Sequence, residues 1–272
     1  MNTDQNNREA QPVQRQVALF VTCLADLLRP SVAFNALELL QKAGCDVVVP
    51  ELQTCCGQPG YNSGDFEATI PLAKQFIEQF EPYDYVVAPS GSCAGMVIHH
   101  YPKLLQGDWR NRAIGIAAKT FELTTFLSEI APLPTPVKQV KTPSVSYHDS
   151  CAGLRELGIK QQPRQLLKQQ CGVEIQELKH TEVCCGFGGT FCAKMPELSA
   201  KMATDKLNDA LGTGADILAG GDLGCLLNLS GRARRLGLSL EFRHVAEILN
   251  DDLTGPAIGA GNSPSSQDGS SR

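Results

Sequence analysis

One cysteine pattern occurs twice in this chain: Cys23, Cys55-Cys56-Gly57 and Cys93, then Cys151, Cys184-Cys185-Gly186 and Cys225. Eight of the eleven cysteines fall into these two sets. The first cysteine precedes the doublet by 32 positions in one set and 33 in the other, and the last follows it by 37 and 40. Spacing matched over such distances calls for two copies of one folding unit, each gathering four thiols at a common point. Four soft sulfur donors are the ligand chemistry of an iron–sulfur cluster or a zinc ion.

The repeat extends beyond the cysteines. Val17-Ala18-Leu19-Phe20 leads to Cys23 as Val145-Ser146-Tyr147-His148 leads to Cys151. Tyr85-Val86-Val87-Ala88 runs toward Cys93 as Asp216-Ile217-Leu218-Ala219 runs toward Cys225, and Phe121-Glu122-Leu123 matches the stretch that begins at Phe242. The units are therefore placed at 16–131 and 144–253. Between them lies a linker, 132–143, whose Pro132, Pro134, Pro136 and Pro143 rule out helix interior. The polar residues 1–15 and the Gly/Ser/Pro-rich residues 254–272 are expected to be disordered tails.

Composition narrows the function classes. Net charge is −5 with no Lys/Arg cluster, which argues against nucleic acid and against an anionic membrane surface. No apolar run approaches the ~18 residues of a spanning helix, so no transmembrane segment is expected. The start of the chain lacks the apolar stretch of a signal peptide. The expected location is cytoplasmic, where thiols stay reduced and a high cysteine count signals metal binding or redox chemistry rather than disulfides.

Within each unit, short β-branched runs alternate with amphipathic segments. In the first, strands are predicted at 17–22, 46–50 and 84–88 and helices at 31–42 and 66–80, with Asp65 as the cap of the latter. The second repeats this with strands at 144–148, 173–177 and 215–219 and helices at 162–170, 196–210 and 226–236. Strand–helix–strand order implies an α/β fold of two tandem homologous units, each a small parallel sheet flanked by helices. Each motif cysteine then lies just past the carboxyl end of a strand, the edge where such sheets place ligands. The glycine after each doublet lets the backbone turn closely beside the site.

On the residues Cys23, Cys55, Cys56, Cys93, Cys151, Cys184, Cys185 and Cys225, the chain resembles the cysteine-rich CCG-domain family. That family includes the B subunit of heterodisulfide reductase and the iron–sulfur subunit of glycolate oxidase. With two CCG units and no ferredoxin-type CxxCxxC segment, residues 16–250 are most similar to its lactate-utilization branch. The resemblance implies two iron–sulfur clusters held by these eight cysteines. It also implies a part in oxidising L-lactate to pyruvate beside two partners, a ferredoxin-type iron–sulfur protein and a third lactate-utilization subunit. Glycolate as substrate, a thiol–disulfide reductase of the heterodisulfide type and a zinc-bound scaffold are the alternatives.

Where the family's five-cysteine version has CxxC, this chain has Ser90-Gly91-Ser92-Cys93 and Asp222-Leu223-Gly224-Cys225. Ser90 and Asp222 are either oxygen ligands or loop-forming residues, and cluster type stays open between a [4Fe–4S] centre and the five-ligand kind. Cys45 and Cys171, at equivalent places beside a strand, read as core thiols, and Cys192 reads as a spare thiol near the site. His148, at a strand end before Cys151, is either a structural histidine or a source of a hydrogen bond or proton at the site. His99, His100 and His180 show no ligand spacing, and no GxSxG elbow of a serine hydrolase is present.

Overall fold

Val17, Ala18 and Leu19 are all buried in succession, as are Val86, Val87 and Ala88, the mark of parallel strands covered on both faces. A computed structural model describes residues 15–136 and 143–260. The first unit runs β1 (Gln16–Leu19), α1 (Cys23–Leu28), α2 (Pro30–Lys42), β2 (Asp46–Val48), α3 (Gln58–Asn62), α4 (Phe66–Phe80), β3 (Tyr85–Ala88) and α5 (Gly91–Gly95). After a π-helical turn at Met96–His100 come α6 (Tyr101–Leu104), α7 (Asp108–Ala117), β4 (Thr120–Glu122) and α8 (Leu123–Thr125), which continues as a second π-helical turn, Phe126–Ile130. Its sheet is wholly parallel in the order β2-β1-β3-β4.

The second unit runs β5 (Val145–His148), α9 (Cys151–Leu157), α10 (Gln161–Cys171), α11 (Phe191–Lys194), α12 (Pro196–Leu211), β6 (Ile217–Gly220), α13 (Leu223–Arg235), β7 (Glu241–His244) and α14 (Val245–Leu249). Its parallel sheet has the order β5-β6-β7. The architecture is thus α/β in two repeated units, as the alternating pattern implies. One strand expected at 173–177 does not form. A lone bridge between Val145 and Ile175 stands where the first unit has β2. Glu174 and Glu177 instead turn outward to the cations of Lys168 and Arg164, which breaks the apolar run a buried strand needs.

Period-two alternation divides the core. Val17 and Leu19 face one apolar cluster while Ala18 and Phe20 face another, closed by Phe76, Ile77 and Phe80 of α4. Helix α4 earns its place by an apolar stripe at Thr69, Ala73, Phe76, Ile77 and Phe80, and Asp65 caps it by accepting from the Ala68 N–H. In the second unit Leu218 joins Leu207, Leu226 and Leu229 of α12 and α13. The cluster holding Val17 and Leu19 is common to both units, because Val145, Tyr147, Leu166, Ile217 and Ile248 belong to it.

The units also exchange their last helices. Helix α14 of the second packs on α2 of the first, and α8 with its π-helical turn packs on α10 of the second. At the first of these seams, Arg29 donates to Glu247 at 2.7 Å, Ser31 to the same oxygen at 2.8 Å, and Asn35 to Asp252 at 2.7 Å.

Residues 1–14, 137–142 and 261–272, which carry most of the expected tails and half of the expected linker, lie outside the described residues. The expectation of a disordered tail from 254 onward is corrected for residues 254–260. Ile258 is buried in the second unit's core and donates its N–H to Phe242, and Gly255 accepts from Arg243. Buried Ile258 and hydrogen bonds from Arg243 to Gly255 and from Arg29 to Pro256 pin that stretch.

Candidate metal centre

All eight motif cysteines line a single cavity of about 420 Å³ at the carboxyl edges of the two sheets. Cys23 and Cys151 open α1 and α9, just past β1 and β5. The doublets sit in the loops before α3 and α11, Cys93 lies in α5 past β3, and Cys225 lies in α13 past β6. The sequence repeat therefore yields one composite site with two halves.

In the first half the Cys23 and Cys55 sulfurs are 3.7 Å apart, and the Cys56 and Cys93 sulfurs 3.6 Å. The N–H of Gly57 donates to the Cys55 sulfur at 3.4 Å, and that of Gly186 to the Cys184 sulfur at 3.3 Å. Both glycines have left-handed backbones, with φ of 84° and 83°. A Cβ on Gly186 would stand 2.8 Å from the Ser199 carbonyl oxygen, and one on Gly57 would stand 2.9 Å from the Thr69 methyl. Each doublet thus needs glycine next, both for the turn and for the approach to a helix. Thr22, just before Cys23, also has positive φ, 71°, a strained conformation of the kind concentrated at functional sites.

Neighbouring thiols within each set shift one another. Hydrogen bonds from Cys23 and Cys56 bring Cys55 down to about 3, and those from Cys151 and Cys185 bring Cys184 down to about 2. Their donors, Cys23 and Cys151, move up for the same reason, reinforced by burial. Sulfurs this close, with thiolate character and backbone N–H donors, suit a soft metal ion or an iron–sulfur cluster. The donor set fits either group.

Ser90 and Asp222 meet each other. Asp222 accepts from the Ser90 and Ser92 hydroxyls, each at 2.7 Å, and from the Ser92 N–H, while the Ser90 hydroxyl also caps α5 by accepting from Cys93. Their polar atoms are engaged in joining the two halves. Cys45 and Cys171 do not line the cavity: Cys45 packs in the shared core, and Cys171, pushed up to about 11 by burial, donates to the Ile248 carbonyl. Cys192 donates to the Gly189 carbonyl at the margin. His148 is buried at the end of β5, neither ring nitrogen is hydrogen-bonded among the described residues, and its ring lies beside Cys185 and Cys225. His100 lines the cavity too, 3.4 Å from Glu156.

The reading of the sequence missed Ser92, Glu122 and His244. Glu122 ends β4 and caps α8, accepting from the N–H groups of Thr124 and Thr125, and His244 ends β7 and caps α14, accepting from Ala246. Both stand at the same place in the repeat, at the carboxyl end of a fourth strand position. A polar residue directly before an apolar helix start, Glu122 before Leu123 and His244 before Val245, was the signal. Burial pushes the Glu122 carboxyl up to about 7.

The sequence profile of the cysteine-rich domain CCG matches twice, at residues 17–98 and 145–230. Lactate utilization protein A of Exiguobacterium sp. is 47% identical over 241 residues, covering 87% of this chain and 98% of that protein. The protein of the same name from Halalkalibacterium halodurans is 45% identical over 240 residues, covering 86% and 96%. Lactate utilization protein A 1 of Bacillus mycoides is 42% identical, covering 87% and 97%. With both halves of the composite site falling inside the two matched regions, this chain belongs to the CCG cysteine-rich domain family, among the proteins named lactate utilization protein A.

Proposed function

We propose that this chain is the iron–sulfur subunit of a multi-protein oxidoreductase and carries electrons in the oxidation of L-lactate to pyruvate. The observation that supports this most is the convergence of eight thiols, in two sets of four, on one cavity. The names of the relatives supply the substrate. Cys23, Cys55, Cys56 and Cys93 would hold one cluster and Cys151, Cys184, Cys185 and Cys225 the other. Such clusters, when bound, accept and release single electrons.

The chain's own residues set the conditions for that chemistry. The N–H groups of Gly57 and Gly186 lower the charge density on one sulfur of each doublet, which favours the reduced state. Leu24, Pro59, Phe187 and Leu223 give the cavity apolar wall. Lactate oxidation releases two electrons and two protons, so the electrons need an onward acceptor. In this reading that acceptor is a ferredoxin-type partner, with a third subunit completing the system.

The test is iron, acid-labile sulfide and zinc content of anaerobically purified protein, with electron paramagnetic resonance before and after dithionite. About eight iron and eight sulfide per chain, with two reducible signals, are expected for two four-iron centres. Lactate must then reduce them when the partner proteins are present. Stoichiometric zinc without sulfide after anaerobic reconstitution would overturn electron transfer and leave a zinc-bound scaffold.

The single cavity flanked by both sets also favours a second reading, a thiol–disulfide reductase, since a disulfide lying there would have sulfur chemistry on both sides. Reoxidation of the reduced centres by a small disulfide, with no response to lactate or glycolate, would select it.

A further inference from the structure

We propose that the imidazole of His148 is a nitrogen ligand of the metal centre held by the second cysteine set, so that the two centres are chemically unequal. The inference rests on the metal-centre reading above. A ring nitrogen of His148 and the sulfurs of Cys185 and Cys225 lie within 4.8 Å of one another. His148 is 1% exposed. Neither of its ring nitrogens has a hydrogen-bond partner among the described residues.

A buried histidine that serves packing alone satisfies its polar atoms, and the same molecule supplies that control. His244, equally buried, accepts from the Ala246 N–H at Nδ1 and donates from Nε2 to the Pro89 carbonyl. His148 has the same burial with no partner, beside two sulfurs of the site. A neutral imidazole offers one lone pair and one N–H. A metal atom among the three donors takes the lone pair.

The first set shows what this position holds when it only packs. Counting back three residues from Cys23 and Cys151, the counterpart of His148 is Phe20. Its ring meets Phe76 edge-on, with centroids 4.9 Å apart. Helix α12 matches α4 through the buried pairs Thr69 and Ser199, Ala73 and Ala203, and Ile77 and Leu207. That register puts Lys206 opposite Phe76. Lys206 is buried and donates to the His180 carbonyl at 2.5 Å. The aromatic pair that seals the first set is thus an imidazole and an ammonium in the second. Replacing a fully apolar contact with two polar groups is destabilising unless they find partners. The Lys206 ammonium has the His180 carbonyl, and a metal supplies the partner for one of the two ring nitrogens.

His148 would take an iron site in place of one of the set's four thiolates; imidazole donates less charge to iron than thiolate does, and histidine in place of cysteine raises the potential of an iron–sulfur centre. The second centre should therefore be the more easily reduced of the two. The experiment uses the full chain, reconstituted anaerobically with iron and sulfide, with histidine alone carrying ¹⁵N. Pulsed electron paramagnetic resonance should show a strongly coupled histidine nitrogen in one of two signals. That coupling should vanish in His148→Phe, which installs the first set's residue, and persist in His100→Ala, whose ring lines the same cavity. His148→Phe should also shift one centre's potential downward and leave the other in place. If His148→Phe fails to fold, the labelled wild-type protein decides alone. Two clusters by iron and sulfide count without a strongly coupled nitrogen would overturn His148 as ligand and leave the iron–sulfur reading standing. Protein that takes up no iron and sulfide would overturn that reading, and this inference with it.

Discussion

Each doublet depends on the residue that follows it. Gly186 combines a φ of 83° with a backbone carbonyl oxygen 2.8 Å from where a Cβ would lie, and neither can be relieved by turning a side chain. Gly186→Ala is expected to cost about 1–3 kcal/mol and to lower metal content by roughly half, since a coupled site forms only with its fold. Metal analysis together with thermal melting checks this, and an unchanged metal count would refute it. Glu122 gives a pH effect of defined sign. Its carboxyl is raised by burial to about 7 in the fold, so the folded state holds a proton that the unfolded chain releases near its ordinary value. The resulting stability is present at low pH and is lost as pH rises through about 7, on the order of 3 kcal/mol across that window. Glu122→Gln should flatten the dependence of melting temperature between about pH 5 and 8. A slope identical to wild type would show that Glu122 is not its source.

Helices and strands bear the next layer of consequences. At the seam of α2 and α14, Glu247 is fully buried while Arg29, Ser31 and the His244 N–H all point at its carboxylate. Arg29→Ala leaves that charge without its cation, and a loss of about 3 kcal/mol is expected in denaturant unfolding. Arg29→Ala with Glu247→Gln should recover part of it, and a double variant no better than the single one would mean that the pair is not coupled. Much at this scale was legible beforehand. Helix α4 and its Asp65 cap follow from the apolar spacing of Thr69, Ala73, Phe76, Ile77 and Phe80. The cysteines fall at strand ends because a parallel sheet presents its carboxyl edge to connecting loops. What escaped was set by tertiary pairing. Strand β4 is three residues long, Thr120–Glu122, and exists because Val86–Ala88 offers it an edge. Conversely 173–177 has strand-like residues but pairs only at Ile175. The meeting of Ser90 with Asp222 was invisible because it joins residues of different repeats. The state of His148 could not be read from a lone histidine at a strand end.

At the scale of the whole molecule, the two repeats share a core and exchange helices, so they should unfold together. A single cooperative transition is expected for the full chain. Residues 16–131 or 144–253 expressed alone should be insoluble or lack a defined fold, because each would expose its side of the cluster around Leu19, Leu39, Tyr147 and Ile217. Two resolved transitions, or a soluble folded half, would contradict that. Ser90 and Asp222 carry one more consequence. They hold the same position in the repeat, three residues before Cys93 and Cys225, and they touch. Residues that meet their own counterparts lie on the local two-fold axis relating the halves. In an ancestral homodimer of one such unit, whatever occupied that position would have faced itself. Two serines would have made a weak contact, and two aspartates would have repelled or shared a proton. A hydroxyl against a carboxylate is open only to halves whose sequences differ. Halves of different sequence in one chain need not be self-complementary at the axis, and the same freedom lets one half carry a phenylalanine beside its cysteines and the other a histidine.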